Sequence, residues 1–141
     1  MQTSRCRRVA LVLLALFAAC GKPGPVGVYE VDKKALREVL LAAYAKMPDM
    51  AAQVDDLVAS TGTTVELKAD GSVELRTLMT MMGQTVDRTS QGTWKLDGAT
   101  LTIAMKTGDK DDVKTAEFDG KSFAIEDTAG DRKMKLTYRR R

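Results

Sequence analysis

Apolar and polar residues alternate strictly in the second half of the chain, beyond Gly62. Val65 and Leu67, for example, alternate with Glu66 and Lys68. A period of two places the apolar side chains of a strand on one face, which is typical of a half-buried antiparallel sheet. The pattern predicts that this part of the chain is a β domain.

Three Asp-Gly pairs separate the alternating segments, namely Asp70-Gly71, Asp97-Gly98 and Asp119-Gly120. Such pairs are typical of type I′ turns in β-hairpins. The turns predict strands near residues 26–31, 63–69, 72–81, 84–96, 99–106, 112–118, 121–127 and 132–139. Eight strands in an up-and-down meander can roll into a barrel, which removes exposed edges. An open, curled sheet wrapped around helices is the alternative architecture.

A helical hairpin is predicted over residues 32–61, between the first and second strands. Asp32 is a candidate N-cap for a helix over residues 33–47, which Pro48 would end. A second helix is predicted over residues 49–60, with Gly62 suited to the position just after its end. Apolar residues spaced three and four apart give each helix one apolar face, so the hairpin is suited to plug or cover one mouth of a barrel.

The first 19 residues have the pattern of a signal peptide. Arg5, Arg7 and Arg8 precede an apolar run over residues 9–19, which is shorter than the roughly 20 residues of a spanning helix. The whole chain has 22 basic and 19 acidic side chains. Removal of this segment with its three arginines would leave a balanced charge, which argues against general binding of nucleic acid or anionic lipid.

The stretch Leu16-Phe17-Ala18-Ala19-Cys20 resembles the lipobox of bacterial lipoproteins, although Phe17 stands where Leu, Val or Ile is usual. The resemblance implies cleavage before Cys20 and attachment of acyl chains such as palmitate to Cys20, which would anchor the protein without a spanning helix. Gly21 stands where an inner-membrane retention signal often has Asp, which implies the outer membrane, facing the periplasm. Residues 20–25 would form the lipidated cysteine and a tether, and residues 26–141 the β domain. A secreted soluble form and an uncleaved anchor are the alternatives.

Three segments of the β domain resemble small bacterial lipocalin-like lipoproteins: Gly92-Thr93-Trp94, residues 94–101 and Leu136-Thr137-Tyr138-Arg139. The resemblance covers roughly residues 63–139 and implies a lipocalin-like α+β fold that is mainly antiparallel. True lipocalins place Gly-x-Trp on the first strand and often contain disulfides. Here Trp94 lies in mid-chain, and no disulfide is expected because Cys6 lies in the signal and Cys20 would be acylated.

Residue types that carry catalysis are scarce. The chain has no histidine, so the commonest general base and metal ligand is missing. Neither Ser-x-x-Lys nor Gly-x-Ser-x-Gly occurs. The sequence therefore predicts a protein that is not an enzyme and needs no cofactor. Asp109-Lys110-Asp111-Asp112 lacks the glycine and distal glutamate of a calcium loop and is interpreted as a solvated hairpin loop.

Met79, Met81 and Met82 form a methionine-rich segment. Thioethers can hold Cu(I), so these residues are the candidate metal ligands. Methionine also fills irregular apolar space, and alternation places Met79 and Met81 on the same face as Val73 and Leu75. The favoured interpretation is therefore that these methionines belong to a core or line a pocket.

Alternation also gathers residues that would face the interior of a barrel. The candidate pocket-lining residues are Leu75, Met79, Met81, Trp94, Leu101, Ile103, Phe118 and Phe123. Such an interior either holds an apolar ligand or is packed solid. The hypothesis is a non-catalytic envelope lipoprotein that is anchored to the membrane at Cys20 and binds a small apolar ligand or an envelope protein in the periplasm. The alternatives are a structural or stress-related accessory protein without a pocket, and a copper-handling protein.

Overall fold

Eight antiparallel strands form one sheet that curls into a nearly closed barrel. The computed structural model describes residues 24–81, 83–107, 110–129 and 132–141, so residues 1–19 and Cys20 of the predicted lipoprotein signal lie outside the described part. No helix in the described ranges is long and apolar enough to span a bilayer. The elements in chain order are β1 (Gly27–Val31), α1 (Lys33–Ala43), α2 (Pro48–Ala51), α3 (Val54–Ser60), β2 (Thr61–Leu67), β3 (Ser72–Met81), β4 (Gln84–Asp97), β5 (Thr100–Thr107), β6 (Lys110–Glu117), β7 (Ser122–Ala129) and β8 (Arg132–Arg140).

The first and last strands close the sheet. The strand order is β6-β5-β4-β3-β2-β1-β8-β7, and Tyr29 of β1 lies opposite both Val65 of β2 and Arg140 of β8. This arrangement confirms the predicted eight-stranded antiparallel meander with helices after its first strand. The sheet is interrupted between β6 and β7, where Phe118 and Phe123 form an isolated bridge.

The barrel has two different ends. We call the end with the β2–β3, β4–β5 and β6–β7 turns, at residues 68–72, 98–99 and 120–121, the turn end, and the opposite end, where β1 leads into α1, the helix end. Aromatic rings pack in the core, with Tyr29 and Phe123 centroids 5.0 Å apart and Phe123 and Tyr138 centroids 5.3 Å apart. Phe118 meets Tyr29 edge to face at 6.2 Å. Aliphatic side chains of β2, β3 and β5 continue this core.

The helical segment differs in detail from the prediction. Asp32 is the N-cap of α1 as predicted, and its Oδ1 accepts hydrogen bonds from the amides of Lys34 at 2.9 Å and Ala35 at 3.2 Å. The helix ends at Ala43 rather than at residue 47, and the predicted second helix is divided into α2 and α3. Pro48 begins α2, since the first turn of a helix needs no N–H from that residue.

Gly62 was predicted to stand just after the end of the second helix. It does follow α3 and its C-cap Thr61, but as a residue of β2 and not as part of a helix-ending turn. The chain passes from α3 directly into β2, where Gly62 lies opposite Leu78 of β3. The C-cap Thr61 is extended, with φ −96° and ψ 126°, because it already pairs with Met79. Strand pairing therefore replaces the helix-ending turn.

The three glycine turns lie where predicted, but their geometry differs from an Asp-Gly type I′ turn. Asp97 pairs with Thr100, so the two loop residues are Gly98 and Ala99, with Gly98 at φ 60°. The loop of β2–β3 has three residues, 69–71, because the amide of Lys68 donates to the carbonyl of Ser72. In the β6–β7 turn the amide of Asp119 donates to the carbonyl of Ser122, which places residues 120–121 in the loop.

Trp94 ties the first of these turns to β4. Its indole Nε1 donates to the carbonyl of Lys68 at 2.9 Å, and its backbone amide donates to the carbonyl of Gly71 at 2.8 Å. Two positions earlier, Gly92 lies where β4 and β5 approach closely. A Cβ on Gly92 would overlap the carbonyl group of Ala104 and lie 3.0 Å from Cα of Met105. The Gly-x-Trp segment thus combines a close backbone approach with an indole that fixes a turn.

We expect Gly92→Ala to lower the free energy of unfolding by about 1–3 kcal/mol or more, because the added methyl meets backbone atoms that cannot rotate away. Gly62→Ala is the matched control. Its Cβ would meet only Cβ of Leu78 at 3.9 Å, so we expect a change within about 0.5 kcal/mol. Urea denaturation followed by tryptophan fluorescence measures both, and equal stability of the two variants would contradict the close approach.

Candidate functional site

A small cavity lies inside the barrel. Its volume is about 110 Å³. The lining is apolar on four strands, β2, β3, β5 and β7, and charged on β6. It consists of Val65, Val73, Leu75, Ile103, Met105, Asp112, Lys114 and Ile125. Alternation explains the apolar part, because these residues face the same side of the sheet as the buried core.

The size of the cavity limits what it can hold. Pockets for drug-sized ligands usually measure about 300–1,000 Å³, whereas this cavity has a volume of about 110 Å³. An apolar cavity of about 150 Å³ is enough for benzene or xenon. The interior as folded therefore has room for a compact apolar group.

The charged part of the lining belongs to β6, whose inner face becomes polar towards the helix end. Lys114 lies opposite Ile103 and Asp112 lies opposite Met105, so both charged residues share a face with apolar partners. Lys114 Nζ lies 3.3 Å from Asp112 Oδ1, and the two side chains remain 26% and 51% exposed. Because ionised groups are costly to bury, we attribute the separation of β6 from β7 to these two side chains, which reach solvent there. Inward-pointing charges are also a known protection of strand edges.

Two predictions about strand β6 are wrong. Segments 112–118 and 121–127 were predicted to pair as a hairpin, but the described residues of β6 and β7 form no ladder beyond the bridge of Phe118 with Phe123. Lys110, Asp111 and Asp112 were predicted to lie in a solvated loop, but they begin strand β6 and pair with β5. Asp109 lies outside the described residues.

An open groove of about 400 Å³ runs over the gap on the outer side of the barrel. It is lined by residues 113–117 of β6 together with Ala124, Glu126 and Lys135. Lys114 lines both this groove and the inner cavity. The gap between β6 and β7 therefore connects the cavity region with the protein surface.

A second groove of about 400 Å³ lies outside the barrel between α1 and β8. Its walls are residues of α1, including Ala35, Glu38 and Val39, and the β8 residues Lys133 and Lys135 among others. It shares no lining residue with the inner cavity. The α1–β8 groove is therefore a separate surface feature.

The predicted pocket-lining residues divide into several groups. Leu75 and Ile103 line the cavity, whereas Leu101, Phe118 and Phe123 are buried in the core beside it. Trp94 is partly buried against that core, and Met79 is half-buried opposite Thr61 on the inner face of β3. The side chain of Met81 and the whole of Met82 lie outside the described part, so the copper hypothesis stays a prediction.

The cavity is also lined by residues that were not predicted as pocket lining, namely Val65, Val73, Met105, Asp112, Lys114 and Ile125. Alternation alone was sufficient to find the apolar four. Asp112 was interpreted as part of a solvated loop, and Lys114 was left out because only apolar residues were selected as pocket lining. Counting back in twos from Phe118 and Ala116 nevertheless reaches both. Among the described residues, no group of three or more His, Cys, Asp or Glu side chains is arranged to hold a metal ion.

The turn end of the barrel is closed by Tyr29 and Arg140. Tyr29 is fully buried, and its hydroxyl donates to the carbonyl of Pro25 at 2.7 Å and accepts from Arg140 Nη2 at 2.9 Å. Burial raises the pKa of Tyr29 above its usual value, while the hydrogen bond and charge of Arg140 act in the opposite direction. The phenol therefore stays neutral at physiological pH and acts as a fixed link between Pro25 and Arg140.

Asp119 organises the turn that joins the two separated strands. Its Oδ1 accepts hydrogen bonds from the amides of Lys121 at 2.8 Å and Ser122 at 2.6 Å, and its Oδ2 accepts from the Ser122 hydroxyl at 2.7 Å. The amide of Lys121 contributes most, followed by the Ser122 hydroxyl, and together these donors lower the pKa of Asp119 from 3.8 to about 2. The ionised carboxylate thus holds β6 and β7 together at the turn end.

We expect the stability difference between the parent protein and Asp119→Ala to be largest near pH 6, and to shrink as the pH falls from about 4 towards about 2. The folded pKa lies below the unfolded value, so the stabilisation is complete above the unfolded pKa and is lost on protonation. Urea denaturation at several pH values measures the difference. Asp97→Ala is the control, since the Asp97 carboxylate has no hydrogen bond among the described residues, and a constant difference for Asp119→Ala would contradict the prediction.

No family model matches the chain, and no curated protein matches it. Several solved structures are similar at low identity. A fatty acid-binding protein from brain tissue of Drosophila melanogaster is 21% identical with a TM-score of 0.39, over 84% of this chain and 99% of that chain. As-p18, an extracellular fatty acid binding protein, is 13% identical with a TM-score of 0.43, over 82% and 95%. A Schistosoma mansoni fatty acid binding protein in complex with arachidonic acid is 16% identical with a TM-score of 0.41, over 82% and 95%. Because these scores are low, the strand order described above defines the fold and the comparisons add no functional argument.

Proposed function

We propose that this protein is a non-catalytic lipoprotein of a bacterial cell envelope, anchored at Cys20, whose barrel binds a compact apolar ligand or the apolar part of a larger one. The lipobox-like segment supports the anchor, and Gly21 in the place of a retention Asp supports the outer-membrane location facing the periplasm. The observation that carries the binding role is the apolar cavity beside the gap between β6 and β7. An interior apolar space with a route to the surface is what a binding module needs.

Charge at the gap favours an amphipathic ligand over a purely apolar one. Lys114 lines both the cavity and the outer groove, with Asp112 beside it in the cavity, and Glu126 and Lys135 continue the polar lining outside. An apolar group would occupy the cavity while polar atoms stay in the groove among these side chains. Ligands would enter through the gap, since the described residues of β6 and β7 are joined only by the bridge of Phe118 with Phe123.

The small volume of the cavity supports a second candidate function. A barrel whose turn end is filled by Tyr29, Phe118, Phe123 and Tyr138 resembles a packed scaffold more than a hollow carrier. In that case the protein acts as an accessory module that contacts other envelope proteins through its surface. The two candidates differ in whether the cavity is accessible to a ligand.

Xenon is a suitable probe of the cavity because it enters small apolar spaces. We expect dissolved xenon to shift the methyl NMR signals of Val65, Val73 and Ile125, and Leu75→Phe to remove these shifts by filling the space. Leu78→Phe is the matched control, since Leu78 lies on the outer face of the same strand and is 39% exposed. Absence of shifts in the parent protein, or equal shifts in both variants, would contradict an accessible cavity and favour the packed scaffold.

Native mass spectrometry of the protein purified from its own cells separates the candidates further. A retained lipophile is the outcome that we expect for the binding module. A bound copper ion would support the methionine hypothesis, and neither species would favour the accessory role. The same spectrum gives the mass of the mature amino terminus, which reports acylation independently of the ligand.

We expect Cys20→Ser to abolish acylation and to move the protein from the membrane fraction to the soluble fraction, because acyl chains on this thiol would supply the anchoring free energy. Cys6→Ser is the matched control, since Cys6 lies within the predicted signal and is removed with it. Cell fractionation and intact mass measure both variants. Membrane attachment and processing that persist in Cys20→Ser would refute the anchor.

A further inference from the structure

We propose that the turn end of the barrel faces the bilayer, and that Arg140 sets this orientation by clamping residues 24–26 across that end. The proposal rests on the lipid anchor at Cys20 proposed above. It identifies a lipid surface as the partner of the turn end, and it directs the helix end away from the membrane.

The clamp consists of hydrogen bonds from one guanidinium. Arg140 Nη2 donates to the carbonyl oxygens of Gly24 and Val26, the latter at 3.2 Å, and to the Tyr29 hydroxyl at 2.9 Å. Tyr29 in turn donates to the carbonyl of Pro25 at 2.7 Å. The backbone carbonyls of residues 24, 25 and 26 are therefore all held by the same pair of side chains.

The start of β1 is shaped around this guanidinium. Arg140 lies 5.4 Å from the centroid of the Tyr29 ring, and its Nε is buried without a hydrogen-bond partner among the described residues. Gly27 has a φ of 153°, and a Cβ at this position would lie 3.4 Å from Arg140 Nε. Pro25 is buried as well. These features hold residues 24–26 against the turn end, so that these residues are not a free linker.

Chain length then limits how far the anchor can lie from this end. Only Gly21, Lys22 and Pro23 separate Cys20 from Gly24. Consecutive Cα atoms are about 3.8 Å apart, so Cα of Cys20 lies within about 15 Å of Cα of Gly24. A strand of seven residues such as β2 already rises about 23 Å. The tether is thus shorter than the barrel, and the anchored face is the one that carries residues 24–26.

The side-chain charges of the turn end give no separate reason for this end to face the bilayer. Acidic and basic side chains are mixed at the turn end, where Asp70, Asp97 and Asp119 accompany Lys68, Lys121 and Arg141. Arg141 is paired with Glu30 at 3.2 Å. Anionic lipids attract clusters of basic residues, and this end has a mixed surface instead. The orientation should therefore be the same in neutral and anionic vesicles.

The orientation has a consequence for the gap. Because β6 and β7 are joined at Phe118 and Phe123 near the turn end, they separate towards the helix end. The cavity would then open away from the membrane, into the aqueous compartment. A ligand would be exchanged with the periplasm or with a soluble partner instead of directly with the bilayer.

The test uses the mature chain from residue 20, whose single thiol is coupled to a maleimide lipid in phosphatidylcholine vesicles. A fluorescent non-canonical residue replaces either Ala99, which is exposed at the turn end, or Ala45, which is exposed beyond α1 at the helix end. Lipids with a quencher on the headgroup are then added. We expect quenching to be several-fold stronger at position 99 than at position 45, with no change when anionic lipid is included. Equal quenching, or stronger quenching at position 45, would overturn the proposal.

Variants test whether Arg140 causes the orientation. Arg140→Ala should make the quenching at positions 99 and 45 equal, whereas Arg139→Ala should leave their ratio unchanged, since Arg139 is exposed and pairs with Asp32 instead.

If Arg140→Ala does not fold, about ten Gly and Ser residues inserted after Gly21 should lower the ratio in the folded parent barrel. A ratio unaffected by the insertion would overturn the role of the short tether. Because the lipid is attached chemically, this test does not depend on natural acylation, which Cys20→Ser examines separately.

Discussion

Pairing of the first strand with the last is the interaction on which this architecture depends. Tyr29 of β1 lies between Val65 of β2 and Arg140 of β8, and its ring is fully buried among Phe118, Phe123 and Arg140. Without β1 the sheet would have two more free edges, and the aromatic core would lose its central ring. The short strand β1 thus contributes to sheet closure, to core packing and to the fixation of residues 24–26.

Inward charge on β6 accounts for the second distinctive property of the barrel. A fully closed barrel satisfies every strand edge, yet here Asp112 and Lys114 occupy inner positions opposite Met105 and Ile103. The cost of desolvating these two side chains competes with the hydrogen bonds that β6 and β7 would gain. The compromise is a sheet joined at the Asp119 turn and separated beyond it, which leaves the apolar cavity next to an opening.

The sequence was sufficient to predict the strand number, the helical insertion and the inward-facing apolar residues, because period-two alternation directly encodes which face is buried. Val65, Leu75, Leu101 and Phe123 follow that rule and lie inside the barrel.

The β6–β7 gap was not predictable. The Asp119-Gly120 turn suggested an ordinary hairpin, and the inner position of Lys114 becomes costly only when the barrel curls. Gly62 follows α3 as predicted, but its pairing with Leu78 overrides the local preference for a helix-ending turn. The role of Arg140 was not predictable, since its partners, two backbone carbonyls and the Tyr29 hydroxyl, lie more than a hundred residues away.

Closure through the two ends of the sheet also determines when folding can finish. The β2–β3, β3–β4 and β4–β5 hairpins join neighbours in sequence and can form as soon as each segment is available. The contact of residue 29 with residue 140 spans nearly the whole chain, and long-range pairings of this kind form late because they require the largest loop closure. Synthesis proceeds from the amino terminus, so β1 cannot pair with its second neighbour until β8 has been synthesised. Closure of the barrel is consequently the last pairing to form, and the aromatic core around Tyr29 is completed only at that step.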